Sequence, residues 1–368
     1  MLNHLILGLD IGGANTKAAL LKFEDDSISQ CYSYIEYFPF WERAESQISK
    51  VYKRICDELL AKNNLTLDKV DYIAITMTAE LSDAFETKNE GIKIVKESLV
   101  QFFSTNKLKF ITTDCEFINH KNVSQNYEKI AAANWVSTAL YLGTFVKNCI
   151  LIDSGSTTID IIPIKDSIPA TLGKTDVDRM LNHELIYTGG LRATIPSITH
   201  HVPYKSEMVR ISFEKFALIS DVHRILSNIT NKEYINETAD QRSTSLEHCY
   251  ARLARMLCLD LNHICEEELD NIAKYIYTKQ MNLIEDDLKL FFQGIRKRNL
   301  FPEGKDLTFI ITGLSANFLV RDVLKSLGFN KIENYEDVTN IPDNISSSAY
   351  AVAGTLYNTL KNGDLNKL

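Results

Sequence analysis

At 368 residues, with 45% hydrophobic and 24% charged residues, the chain has ordinary globular composition and is long enough for about two domains with substantial cores. Its formal net charge of −8 gives no general attraction to nucleic acid or to anionic membrane surfaces, so neither is expected as a partner and any phosphate site must be local. No stretch approaches the roughly 20 apolar residues that cross a bilayer, which makes a cytoplasmic location the expectation.

Leu5–Asp10 is a short apolar run ending in Asp-Ile-Gly-Gly-Ala-Asn-Thr-Lys, and apolar residues resume through Lys17–Phe23. The spacing predicts two strands around a tight turn, a β-hairpin rather than a βαβ start. A helix is predicted over 42–62 with Asn63-Asn64 as its stop, then a strand over Tyr72–Met77. A polar, acidic stretch over 78–91 leads into a helix near Ile92–Phe103. The strand Lys109–Thr112 and a second helical segment containing Ala131-Ala132-Ala133-Asn134-Trp135 follow. Asn148–Asp153 reads as a buried strand that again ends in an aspartate and a small-residue turn, and Ile159–Ile164 resumes as a strand.

The second hairpin matches the first, which implies a duplicated α/β architecture with one lobe over 1–135 and another over 136–368. A charged, helix-rich subdomain is expected at 206–299, with heptad-like apolar spacing in Leu246–Leu261 and Ile272–Leu290. The strand Leu307–Thr312 and its Gly313-Leu314-Ser315-Ala316-Asn317 turn open a helix ending near Leu327. Ser346–Leu360 reads as a closing small-residue helix, and Lys361–Leu368 as a frayed end.

Phosphate binding needs backbone N–H groups that approach an anion closely, which glycine permits. Gly12, Gly13 and Gly155 fit that need, and Asn15, Thr16, Ser156, Thr157 and Thr158 add polar side chains. Lys17 either supplies a cation to its loop or points to solvent. Asp10 and Asp153 end strands where a carboxylate suits Mg²⁺ or proton transfer, whereas Asp160 reads as more distant and structural. Neither G-x-x-x-x-G-K-[ST] nor G-x-G-x-x-G is present, and Asp-Ser-Gly-Ser lacks the G-x-S-x-G elbow of a serine hydrolase. The seven cysteines form no C-x-x-C pair and read as reduced thiols, and His200-His201 reads as a loop feature rather than a metal site.

The paired loops resemble the two phosphate motifs of the actin, hexokinase and Hsp70 superfamily, and Ile311–Leu319 resembles its adenosine-type glycine turn with Gly313. The resemblance implies a two-lobed actin-like (ribonuclease H-like) ATPase fold with a helical subdomain. Thr76-Met77-Thr78-Ala79-Glu80-Leu81-Ser82-Asp83-Ala84-Phe85, Thr87-Lys88 and Glu90-Gly91 resemble the signature of hydantoinase/oxoprolinase-related proteins linked to tetrahydromethanopterin and methanofuran pathways. Ala133-Asn134-Trp135, Asp153–Pro163, Glu184–Gly189 with Leu191-Arg192, and Arg252–Met256 are similar to further blocks of that family. The segments after Tyr187 and after Arg255-Met256 depart from the usual Thr-Pro and Gly-x-Asp, which bears on substrate choice or on packing.

That family resemblance implies an ether-forming transferase, joining the phenol oxygen of γ-glutamyltyramine to the methylene carbon of aminomethyl-furanmethanol diphosphate with release of pyrophosphate. The implied partners are the small diphosphate and the phenol or amine substrates, with Mg²⁺ as cofactor, ATP left open and a homodimer compatible. Asp10, Glu80, Asp83 and Asp153 are then the catalytic candidates, with Asp10 and Asp153 toward metal. Glu90 either grips substrate or caps a helix, and Lys88 and Arg192 are anion partners or surface ion pairs. Asn134 and Tyr187 complete the substrate-binding set. Competing readings are an ATP-dependent small-molecule kinase or ATPase, and a non-catalytic nucleotide-binding component.

Overall fold

Every side chain of strand β1 (His4–Ile11) beyond its first residue is buried, as a strand requires when both faces of its sheet are covered. The computed structural model describes residues 3–13, 15–40, 47–301, 307–343 and 346–363. Ala14, the expected start of the helix at 42 and the tail from 364 lie outside them. β1 pairs antiparallel with β2 (Asn15–Glu24), which pairs antiparallel with β3 (Ser27–Tyr37). β4 (Tyr72–Met77) lies parallel to β1, β5 (Leu108–Ile111) parallel to β4, and β6 (Phe117–Asn119) antiparallel to β5. The sheet order is therefore β3-β2-β1-β4-β5-β6.

A second sheet repeats the plan. Along the chain come β7 (Cys149–Ser154), β8 (Ile159–Lys165), β9 (Ile168–Pro169) and β10 (Leu185–Ile186). A separate two-stranded ribbon, β11 (His201–Tyr204) and β12 (Glu207–Arg210), precedes β13 (Phe309–Thr312) and β14 (Ile332–Asn334). The order is β10-β8-β7-β13-β14, with β13 parallel to β7 and β14 parallel to β13. In each sheet a hairpin is followed by parallel strands added beside its first strand.

The chain divides into two compact units, Met1–Cys149 with Ile162–Asp178 and Tyr335–Leu368, and Ile150–Ile161 with Arg179–Asn334. This differs from a single cut after residue 135. The reason lies in small residues at the end of the chain, because the helix Ser347–Lys361 is buried along most of its length in the first unit. A Cβ at Gly8 would lie 2.1 Å from the Ala349 carbonyl oxygen, and one at Gly354 would lie 2.3 Å from the Tyr141 ring. Glycine at both positions lets this helix seat directly on β1 and on the helix Asn134–Gly143.

Two further segments depart from the sequence reading. β3 was not anticipated, and it is joined to β2 by Asp25 and Asp26, both at positive φ (50° and 65°) as a primed hairpin turn requires. Ala131–Ala133 does not lie within a helix. The short helix Tyr127–Ile130 ends before it, Ala131 bridges Met77, and Ala132 stands at φ 50°. The helix expected over 42–62 is Ile48–Leu59 within the described residues, and Asn64 at φ 57° confirms the expected stop.

In the second unit the helix-rich segment opens with β12 and continues as Ile219–Ile225, Leu246–Arg255 and the 32-residue helix Glu266–Lys297. Arg252, wholly buried, forks onto Asp221 Oδ1 at 2.7 and 2.9 Å and reaches Asp240 at 3.0 Å, so it ties Leu246–Arg255 to Ile219–Ile225 and to the segment between them. Among the described residues no helix is long and apolar enough to cross a membrane.

Candidate active site

The two hairpin turns are closed by the same hydrogen bond. Gly12 N–H donates to Asn15 O at 3.0 Å, and Gly155 N–H donates to Thr158 O at 3.0 Å. Counting from these bonds, Asp10 corresponds to Asp153 and Lys17 to Asp160. The surroundings then diverge.

Around the first turn the charged groups are sparingly partnered. Asp10 faces Lys17 across the hairpin and neighbours Thr76 on β4. Its Oδ2 accepts a short hydrogen bond from Ser348 and lies 3.9 Å from Lys17 Nζ. Asp10 is 6% exposed, and its Oδ1 has no hydrogen-bond partner among the described residues; the same holds for Thr76 Oγ1 beside it. Thr16 is buried, and Gly13 O accepts from Phe40 N–H at 3.0 Å. A Cβ on Gly12 would meet Asn15 O at 2.8 Å and Thr78 Oγ1 at 3.7 Å, so the turn abuts the end of β4.

Beyond β4 the acidic signature folds as the short turn Ala79–Leu81 and the helix Lys88–Phe102. Glu80 is 1% exposed beneath that helix, because Gly91 carries no side chain: a Cβ there would lie 2.8 Å from Glu80 Cα. Glu80 Oε1 accepts the Ala132 N–H at 2.9 Å, which explains the left-handed kink at Ala132. Its Oε2 has no partner among the described residues, and Ser82 Oγ close by in sequence has none either. Burial raises the Glu80 pKa to about 7, against the lowering effect of backbone hydrogen bonds and of Lys88. Glu80 is thus a carboxyl group near neutrality whose second oxygen is buried and accepts no hydrogen bond among the described residues.

Other signature residues take structural or peripheral places. Glu90 is the third residue of its helix, and its Oε2 accepts the Glu86 N–H at 2.8 Å while Thr87 Oγ1 caps Glu90 N–H at 3.1 Å. Of its two readings, helix capping is the one seen. Asp83 is exposed, and Lys88 begins the helix half-buried. Asn134 starts the helix after Ala132–Ala133, so the structure brings it to the same corner as Glu80.

The second turn is held from outside. Gly189, Gly190, Leu191 and Arg192 donate their N–H groups to the carbonyls of Thr157, Gly155 and Ser156 at 2.9 to 3.0 Å. Ser315 Oγ bonds Ser154 O at 3.1 Å and Gly155 O at 3.2 Å. Gly313 stands at φ 91°, and a Cβ there would lie 2.6 Å from Asp153 Oδ1, so the glycine turn after β13 packs on the half-buried Asp153. Ser156, Thr157 and Thr158 stay half-buried at the turn, with Ser156 and Thr157 hydroxyls 3.4 Å apart. Asp160, the counterpart of Lys17, is neutralised by buried Arg179 at 2.5 Å. Tyr187 and Arg192 are exposed on the segment that clasps the turn.

Thus Asp10, Lys17, Thr16 and Glu80 belong to the first unit, and Asp153, Gly155–Thr158, Gly313, Tyr187 and Arg192 to the second. Among the described residues no three His, Cys, Asp or Glu side chains converge as a metal cage. Sequence reasoning gave no site role to Thr76, Gly189 and Ser315, which lie inside the motif blocks it singled out, and missed Ser348 and Gln280. Gln280 had a plain signal, a polar residue at a buried position of the apolar stripe Ile272, Ala273, Ile276, Ile284 and Leu288.

The duplicated strand order, each sheet a hairpin extended by parallel strands and each hairpin turning through a glycine, defines the actin-like (ribonuclease H-like) ATPase fold. Acetone carboxylase in its nucleotide-free structure shares that fold with a TM-score of 0.50 and 11% identity, over 96% of this chain and 70% of that one. Residues 71–358 match the model of the hydantoinase/oxoprolinase family, and the chain belongs to that family. Two curated relatives, from Methanocaldococcus jannaschii and Methanococcus vannielii, are both named (4-{4-[2-(gamma-L-glutamylamino)ethyl]phenoxymethyl}furan-2-yl)methanamine synthase. The first is 33% identical over 97% of this chain and 98% of its own length. The second is 34% identical over 60% of this chain and 96% of its own length.

Proposed function

We propose that this protein is an ether-forming synthase of methanofuran biosynthesis, coupling γ-glutamyltyramine to aminomethyl-furanmethanol diphosphate with release of pyrophosphate. The observation that carries the reading is buried Glu80, whose pKa lies at about 7 and whose Oε2 has no partner among the described residues. A phenol that must lose its proton as it attacks carbon gives such a group a task. The full-length relative from Methanocaldococcus jannaschii, whose name describes a phenoxymethyl-furan product, supports the same reading.

In the proposed step the phenol oxygen forms a bond to the furfuryl methylene carbon as the carbon–oxygen bond to the diphosphate breaks. Glu80 Oε2 takes the phenolic proton, and both electrons of the broken bond leave with pyrophosphate. The furan ring supports positive charge developing on that carbon, so the protein's work is to orient the phenol, exclude water and hold the leaving group. Within the first unit Lys17, 3.9 Å from Asp10, offers a cation beside the glycine turn for that purpose. A magnesium ion, when bound, would neutralise diphosphate charge. Asp10 would hold it, since Mg²⁺ is commonly carried by one or two carboxylates with water and phosphate, and Asp10 Oδ1 is unpartnered among the described residues.

The test is pyrophosphate release by the purified protein with Mg²⁺ and both substrates, beside ADP production from ATP. Pyrophosphate that appears only when both substrates are present is the expected result. ADP formation without pyrophosphate would replace this reading with a kinase or ATPase.

A further inference from the structure

We infer that Gln280, a residue of the helical segment, is a positioning residue that sets the shape of the Gly155–Thr158 turn through the strap Thr188–Arg192. Gln280 is wholly buried on the helix Glu266–Lys297, at a position where its neighbours one turn away, Ile276 and Ile284, are apolar. Its Nε2 donates to Gly189 O and to Thr188 Oγ1, each at 3.0 Å. From there the strap continues into the turn, because the next four N–H groups of the chain take up the turn's carbonyl oxygens. Gly189 makes this approach feasible: a Cβ there would lie 2.6 Å from Gly155 O, Ser156 C and Thr157 N.

The orientation of the Gln280 amide is itself fixed. His223, also wholly buried, meets Gln280 Oε1 through Nε2 at 3.0 Å, and its Nδ1 meets Asn228 Nδ2 at 3.1 Å. Asn228 Nδ2 is a donor, so Nδ1 accepts and the proton sits on Nε2, which donates to Gln280 Oε1. Burial lowers the His223 pKa to about 3, which keeps that neutral tautomer. Only the amide nitrogen of Gln280 is then left to face the strap. An apolar side chain at 280 would fill the core as well as its neighbours do and would leave Gly189 O and Thr188 Oγ1 without their donor. A packing role alone does not call for glutamine here; holding the strap does.

The inference deepens the proposed function, on which it rests only for what the turn holds. It predicts that Gln280→Met, which preserves volume and removes both donated bonds, speeds amide exchange at Gly189–Arg192 by about tenfold and weakens pyrophosphate binding by a similar factor. The melting temperature should fall by a few degrees, since methionine also leaves the buried His223 Nε2–H without its acceptor, and exchange in the Gly12–Asn15 turn should not change. His223→Phe, which keeps a ring in the core and frees the Gln280 amide to rotate, should act in the same direction more weakly, and it serves as the test if Gln280→Met fails to fold. Unchanged exchange at the strap in a folded variant would overturn the inference. Pyrophosphate that does not bind the wild-type chain would instead overturn the diphosphate reading, and the exchange result would still decide the role of Gln280.

Discussion

The two glycine turns share one hairpin geometry and differ in what surrounds it. Beside the Gly12–Asn15 turn stand Asp10, with an oxygen unpartnered among the described residues, and Lys17 3.9 Å away, while the signature beyond β4 buries Glu80. The Gly155–Thr158 turn has hydroxyls and amides, four strap N–H groups bonded to its carbonyls, and an aspartate already paired with Arg179. The same closing hydrogen bond thus sits among ionisable groups in one turn and among hydrogen-bonded hydroxyls and carbonyls in the other.

Glu80→Gln is the variant that breaks the comparison most sharply. Removing a general base is expected to lower kcat by about a thousandfold while substrate binding changes little. In the wild type, kcat should rise with pH through about 7 as Glu80 ionises, and the variant should lose that limb. Stability gives an independent readout. The folded-state pKa of Glu80 lies above its ordinary value of 4.5, so between pH 4.5 and about 7 the folded protein binds more protons than the unfolded chain and stability falls as pH rises. The loss is on the order of 3 kcal/mol at about 1.4 kcal/mol per unit, and Glu80→Gln should flatten it in a series of thermal melts.

Asp10→Asn comes next, with an expected loss in turnover of about a hundredfold and a weakened dependence on Mg²⁺, read by metal titration of the rate. In the second turn, Gly313→Ala forces a left-handed residue and a 2.5 Å contact with Ser154 O, so it should cost about 1–3 kcal/mol in unfolding free energy, measured by denaturant titration. The smallest effect is expected from Thr87→Ala, which removes the cap of the helix over Glu80: about 1 kcal/mol of stability with turnover nearly unchanged. A large loss of turnover there would mean that the signature's polar residues act on substrate beyond Glu80.

Much of this was legible in the chain because the hairpins are local. Alternating apolar runs on either side of a glycine turn state their own fold, so Asp10, Gly12, Asp153 and Gly155 could be placed from sequence. β3 was less visible, since Asp25-Asp26 adopts a turn that usually advertises itself through Asn-Gly or Asp-Gly. Ala131–Ala133 misled for a different reason. Alanine has high helix propensity, yet a β-bridge to Met77 and the hydrogen bond from Ala132 to Glu80 outweigh it. Glu80, Asp83 and Glu90 are alike in sequence, and only Gly91 distinguishes them, by allowing a helix to cover the first and leave the other two exposed. The Gln280 strap depends on partners 91 and 92 residues apart, which no local pattern records.

The most direct measurement follows the phenol oxygen. γ-Glutamyltyramine labelled with ¹⁸O at the phenol, incubated with the furanmethyl diphosphate, Mg²⁺ and enzyme, should give a coupled ether that retains the label and unlabelled pyrophosphate in equal amount. Recovery of the label in a phosphorylated tyramine, or ADP formation from ATP without any coupled product, would contradict ether formation and return the protein to phosphoryl transfer.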